Sequence, residues 1–181
     1  MIAPAPIADF QGAKYAILAV LKATSPCAMT DHLVELQHIY LEIQAERWQH
    51  IERFFLPYVC YREHYLTSQN KPDWQIARAH APKSQRLIAS GERGQLEPLV
   101  PYSSVIGLLK SKAREGALSL EDVQSLLDQF LHLVVICEAE LSALKLAGLS
   151  ANMPPNWYRS LNQKPSVRFE QIGSEFRDLS I

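Results

Sequence analysis

An all-α fold is what this sequence predicts: a helical bundle of two long and two or more shorter helices, with an irregular basic crossover and a C-terminal docking segment. Three observations lead to it. All eleven prolines lie outside residues 27–56 and 102–153. An interior proline costs a helix about 3 kcal/mol, so these two stretches are where long helices can run. Within both, apolar residues recur at spacings of three and four, the period of one buried helical face. No alternating run of β-branched residues bounded by turn signals occurs, so no sheet is expected. The chain has 181 residues, 48% hydrophobic and 20% charged, which is enough apolar material to fill a core.

The elements follow in chain order. Residues 8–23 are alanine-rich and predict a short helix ending near Ser25 and Pro26. The first long helix starts at Thr30, a candidate N-cap, with Asp31 in the first turn where negative charge suits the helix dipole. It runs to about Leu56, burying Leu33, Leu36, Tyr40 and Ile43, with Trp48, Ile51, Phe54 and Phe55 continuing the apolar surface. Pro57 starts or kinks a further helical piece over 58–66. Residues 67–101 hold Pro72, Pro82, Pro98, Pro101, Gly91 and Gly94. A structureless loop of that length is unusual in a compact domain, so short helices are expected near 74–81 and 84–89. Residues 102–115, between Pro101 and Gly116, predict another helix.

The second long helix begins at Ser119 and Asp122, a capping-box pattern with Asp where Glu or Gln is usual. Val123, Leu126, Leu127, Phe130, Val134, Cys137, Leu141 and Leu144 keep the 3.6-residue period, and Gly148 supplies a left-handed stop. At 1.5 Å per residue the two long helices would each span about 40 Å and pack along one another. Residues 149–165, with Pro154 and Pro155, read as linker. The chain therefore divides into a helical bundle domain, 1–148, and a linker with a short amphipathic C-terminal segment, 149–181.

Composition and motifs narrow the chemistry. Three cysteines, Cys27, Cys60 and Cys137, are too few and too far apart for a disulfide framework and point to a reducing compartment, the cytoplasm. No run approaches the ~20 apolar residues of a membrane span, and the N-terminus has no basic residue before Lys14, so it reads as part of the fold. Glu35 and His38 have the spacing used by carboxylate-bridged di-iron bundles, but no second such pair exists, and the stripe Glu35, His38, Glu42, Glu46, Gln49 and Arg53 reads as a solvated face. Cys60 and His64 make half a zinc site with no other half. The phosphate-binding and nucleophile-elbow glycine motifs are absent. No catalytic residue, metal or cofactor is assigned, and an enzyme, with Glu35, His38 and His50 as its best residues, ranks third among the readings.

The leading expectation is a non-enzymatic interaction or adaptor subunit of a larger assembly. Phe169, Ile172, Phe176 and Leu179 fall at i, i+3, i+7 and i+10, one face of a short helix that would dock on another protein, on a second copy or on its own bundle. The alternative rests on charge. Residues 68–116 carry eight basic and four acidic side chains, net +4, between segments of net −2 and −3. In that middle third Lys71, Arg78, Lys83, Arg86 and Arg93, with Trp74 among them, form a patch that could bind nucleic-acid phosphates, with an acidic partner or a solvated crossover as the plainer readings.

Overall fold

The computed structural model describes residues 30–177 and 179. The helix expected over 8–23 and Cys27 lie outside the described residues. What is described is mostly helical with one small sheet. In chain order come α1 (Asp31–Gln44), α2 (Phe55–Arg62), α3 (Trp74–His80), α4 (Gln85–Ser90), β1 (Gln95–Pro98), α5 (Tyr102–Glu115), α6 (Leu120–Phe130), β2 (Leu133–Ile136), α7 (Glu138–Leu146) and α8 (Val167–Gln171). Among the described residues no helix is long and apolar enough to cross a membrane.

The first long helix is divided. α1 stops at Gln44 because Glu46 turns into the left-handed region at φ 54°. The amide of Glu46 donates to Ile43 O and that of Arg47 to Glu42 O, the paired bonds of a Schellman stop, formed here without glycine. Glu42 is buried beneath this turn, with Arg53 donating to its Oε1 at 3.1 Å. Arg47 Nε stands 2.7 Å from Oε2, an ion pair lacking the alignment of a hydrogen bond. Glu42 is therefore not part of a solvated face. Two 3₁₀ turns then lead into α2, whose Pro57 occupies the first turn, where a missing amide costs nothing.

The second long helix is also divided, and the expectation of no sheet is overturned. Ser119 and Asp122 do form the capping box that opens α6. The helix ends at Phe130, and Arg62 caps its end by donating to Leu131 O at 2.7 Å. The chain then extends as β2, antiparallel to β1 with Leu96 opposite Val135. On its other edge the amide of Val135 donates to Pro82 O and that of Ser84 to Val135 O. All four β2 residues are buried. Leu133 and Val135 enter the main core, whereas Val134 and Ile136 enter a second, smaller core with Leu99, Leu144, Leu149 and Phe169. A strand covered on both faces is apolar throughout and shows no alternation.

The main core gathers Leu36, Ile39 and Ile43 of α1, Phe55, Tyr58 and Val59 of α2, Val105 and Leu109 of α5, and Val123, Leu127 and Phe130 of α6. Each such side chain contributes about 1.5–3 kcal/mol on burial. The stretch expected as linker sends Met153 and Trp157 into this core. The Trp157 ring meets Phe130 edge-on, with centroids 5.5 Å apart, and its Nε1 donates to Lys164 O.

The C-terminal segment is closed by Gly173. At φ 69° it ends α8, with its own amide donating to Glu170 O and that of Ser174 to Phe169 O. The four stripe residues thus do not share one continuous helix. They still converge: Phe169 is wholly buried in the second core, with Ile172, Phe176 and Leu179 packed against it. Beside Phe169, Arg168 is the largest fully buried side chain. It donates to Leu99 O at 3.0 Å, Leu149 O at 2.8 Å, Glu97 Oε1 at 2.9 Å and also to Pro98 O. Burial lowers its pKa, and the Glu97 carboxylate opposes that shift.

Candidate nucleic-acid interface

The basic crossover is built on three anchors. A tight turn over 67–71 holds Lys71: Thr67 Oγ1 accepts from the Gln69 and Lys71 amides, and Asn70 takes the left-handed conformation that asparagine tolerates. Asp73 then caps α3, accepting from the Gln75 and Ile76 amides at 2.6 and 3.1 Å. Buried Ala77 and Ala81 fasten α3 to the main core, which leaves Trp74 at 48% exposure and Arg78 half-buried.

The third anchor is Ser84, the cap of α4. Its Oγ accepts from the Leu87 amide and donates to Glu140 Oε2 at 2.6 Å. Glu140 is fully buried and closes the α7 capping box by accepting from the Cys137 amide at 2.9 Å. Burial alone would raise its pKa, but the Ser84 hydroxyl and the Cys137 amide bring the carboxyl below its ordinary range. The Gln85 amide donates to Glu175 O, so the start of α4 is tied to the C-terminal segment as well as to β2.

On this frame Arg78 stands over the Trp74 ring, 5.0 Å from its centroid. Arg78 and Lys83 also line a groove of about 390 Å³ with Leu87, Ile88, Gly91, Glu92, Gly94 and Val135. Ile88 is 46% exposed there. Gly94 is required for the loop to close this groove: a Cβ on it would stand 2.5 Å from both Leu87 Cδ2 and Val135 Cγ1. Arg86 and Arg93 are exposed on the flanking helix and loop, Lys83 and Lys71 likewise. Among the described residues none of Lys71, Arg78, Lys83, Arg86 and Arg93 pairs with a carboxylate. Charge composition pointed to this region; Ile88 and the glycine-lined groove carried no sequence signal, since Gly91 and Gly94 read only as a loop.

Other candidates are accounted for by the fold. Phe169, Ile172, Phe176 and Leu179 are engaged within their own chain. Glu35 and His38 face each other at 3.3 Å at the surface of α1. Cys60 is buried in the main core, where burial pushes its thiol up to about 11, and His64 sits beyond the end of α2 at φ 59°. Among the described residues no cluster of metal-ligating side chains occurs. Tyr58 and Arg62, neighbours on an aromatic stripe of the sequence, join α2 to α6 through Asp128, which the sequence did not point to: the Tyr58 hydroxyl donates to Asp128 Oδ1 at 2.7 Å and Arg62 Nη1 donates to the same atom at 3.0 Å. Arg62 also caps α6, and the group reads as a cross-tie. No family model matches the chain, nor does any curated protein or solved structure.

Proposed function

We propose that the chain is a cytoplasmic accessory protein that binds nucleic acid through the surface of α3, α4 and their flanking loops. The observation that carries this reading is a set of five cations along 71–93, free of carboxylate partners among the described residues, of which Arg78 and Lys83 line a groove and Arg78 stands over exposed Trp74. Unpaired cations on a fixed surface release counterions from a phosphate backbone on binding, and that release drives association. The interaction-subunit reading drew on the stripe from Phe169 to Leu179; a partner docking there would first have to displace that stripe from the second core. The nucleic-acid reading needs no such opening.

The test is a binding isotherm with labelled oligonucleotides of mixed sequence, measured from 20 to 200 mM salt. Binding through this surface gives log K falling linearly with log salt, with a slope of about −0.7 to −0.9 per neutralised phosphate. Replacing Lys83, Arg86 and Arg93 by glutamine should flatten that slope by about 2 to 3. An unchanged isotherm in the triple variant, or no binding by the wild type at the lowest salt, would overturn the reading.

A further inference from the structure

The ligand form can be narrowed from duplex to single strand, an inference that rests on the nucleic-acid reading above. The deciding residue is Trp74. It is the first residue of α3, and its neighbour one turn on, Ala77, is what pins that turn to the core. Arg78 covers the ring from 5.0 Å, and about half of the tryptophan remains exposed. An exposed indole is costly to display in water, and here the guanidinium holds it in place by a cation–π contact. Such a ring adds nothing to a phosphate contact. It can add much to an unpaired base, because every base has a π-face and stacking on an aromatic side chain contributes about 1–3 kcal/mol.

The surroundings agree. In a duplex the base faces are already stacked on one another, and a protein reaches only edges and backbone. Reading the edges takes an element long enough to lie along a groove. α3 and α4 have seven and six residues, about 10 Å each, and the surface between them is concave. The groove that Arg78 lines from its place over Trp74 holds Arg78 and Lys83 with Leu87, exposed Ile88, Val135 and two glycines, and one carboxylate, Glu92, at its loop side. This combination provides cations at the rim for phosphates and an apolar floor for a splayed base. Its volume of about 390 Å³ falls in the range of sites that enclose small organic groups.

We infer that this surface binds single-stranded nucleic acid, with one base stacked on Trp74 and the backbone following Arg78, Lys83, Arg86 and Arg93. The experiment uses the full chain with fluorescein-labelled dT20, U20 and a 20-base-pair duplex at 50 mM salt, read by anisotropy. Wild type should bind the single strands at least about tenfold more tightly than the duplex. Trp74→Ala should weaken single-strand binding by about 5- to 150-fold, the range corresponding to one stacked base, while Trp74→Phe keeps most of it. Duplex binding should change by less than about twofold in either variant. Because Trp74 is exposed, both variants should keep the wild-type melting temperature, which is checked in parallel. Equal or tighter binding of the duplex, or a Trp74→Ala loss shared equally by both forms, overturns the single-strand inference and leaves the nucleic-acid reading standing. Absence of binding to all three probes removes that reading itself. A preference between dT20 and U20 would separate the DNA from the RNA source of the strand.

Discussion

Replacing Arg168 should unfold more of the molecule than its position near the C-terminus suggests. Its side chain is 0% exposed, and its guanidinium ties α8 to two other stretches of chain: Glu97 to Leu99 at the end of β1, and Leu149 after α7. Arg168→Ala removes the donors facing Leu99 O and Leu149 O, both on buried residues. A buried acceptor left unsatisfied costs about 1–3 kcal/mol. The Glu97 carboxylate, 19% exposed, also loses its partner at 2.9 Å. Breaking one side of a buried pair costs about 3–5 kcal/mol, and the two routes agree on an expected loss of about 3–5 kcal/mol. Arg168→Lys keeps the charge but presents a compact ammonium that cannot span carboxylate and carbonyls together, so it should fall between. Combining Arg168→Met with Glu97→Gln removes the unpaired charge as well, and the double variant should lose at least about 1 kcal/mol less than the sum of the single losses. Equilibrium urea unfolding followed by circular dichroism, with the m-value checked for constancy, measures all of these. A loss below about 1 kcal/mol for Arg168→Ala, or strict additivity in the double variant, would refute the clamp.

Two further outcomes follow from local geometry. Glu46→Gly should stabilise the protein by about 0.5–1 kcal/mol in the same assay, because Glu46 holds φ 54° at the end of α1 and glycine adopts that conformation without a Cβ penalty; a destabilised variant would mean the Glu46 side chain contributes more than its backbone costs. Stability should decline in two stages on acidification. His132 has its pKa lowered by burial and by the nearby Arg62 charge, so its contribution is complete above the ordinary value of 6.5 and is lost as pH falls through its folded value. Glu140, also depressed, contributes fully above 4.5 and is lost at more acid pH. Melting temperatures from pH 8 to pH 4 should show the first decline in wild type and its absence in His132→Gln; a profile unchanged by that substitution would rule His132 out.

Much of the helical content was legible in the sequence because its punctuation was strong. Asp73 and Ser84 as caps, Pro101 before α5, Ser119 with Asp122 before α6, and Gly148 after α7 all mark boundaries by a residue type that the backbone geometry requires. The two long helices failed where punctuation was silent. Glu46 closes α1 in a conformation that normally selects glycine. Between Phe130 and Glu138 no proline or glycine appears, and β2, buried on both faces, mimics a helical core segment. Two signs were available there: the β-branched run Val134, Val135, Ile136, and Cys137 three residues before Glu140, a capping box with a thiol in place of the hydroxyl. In the candidate site the cations and Trp74 were readable from charge and composition. The groove was not, because it depends on Pro82 and Ser84 meeting Val135 across a long stretch of intervening chain.

The position of β2 has a thermodynamic corollary. It donates side chains alternately to two cores, and its edges carry β1 on one side and residues 82–84 on the other, with Ser84 paired in turn to Phe176. Among the described residues β2 contributes to both cores, so the segment bearing Lys83 and the segment bearing Phe169 are tied through the same strand. A ligand that the cations held would stabilise the folded form by RT ln(1 + [L]/Kd). Were the surface at α3 and α4 to bind as proposed, slowed amide exchange at Ser174 and Phe176 should report it from the C-terminal core, because the start of α4 is bonded to that segment.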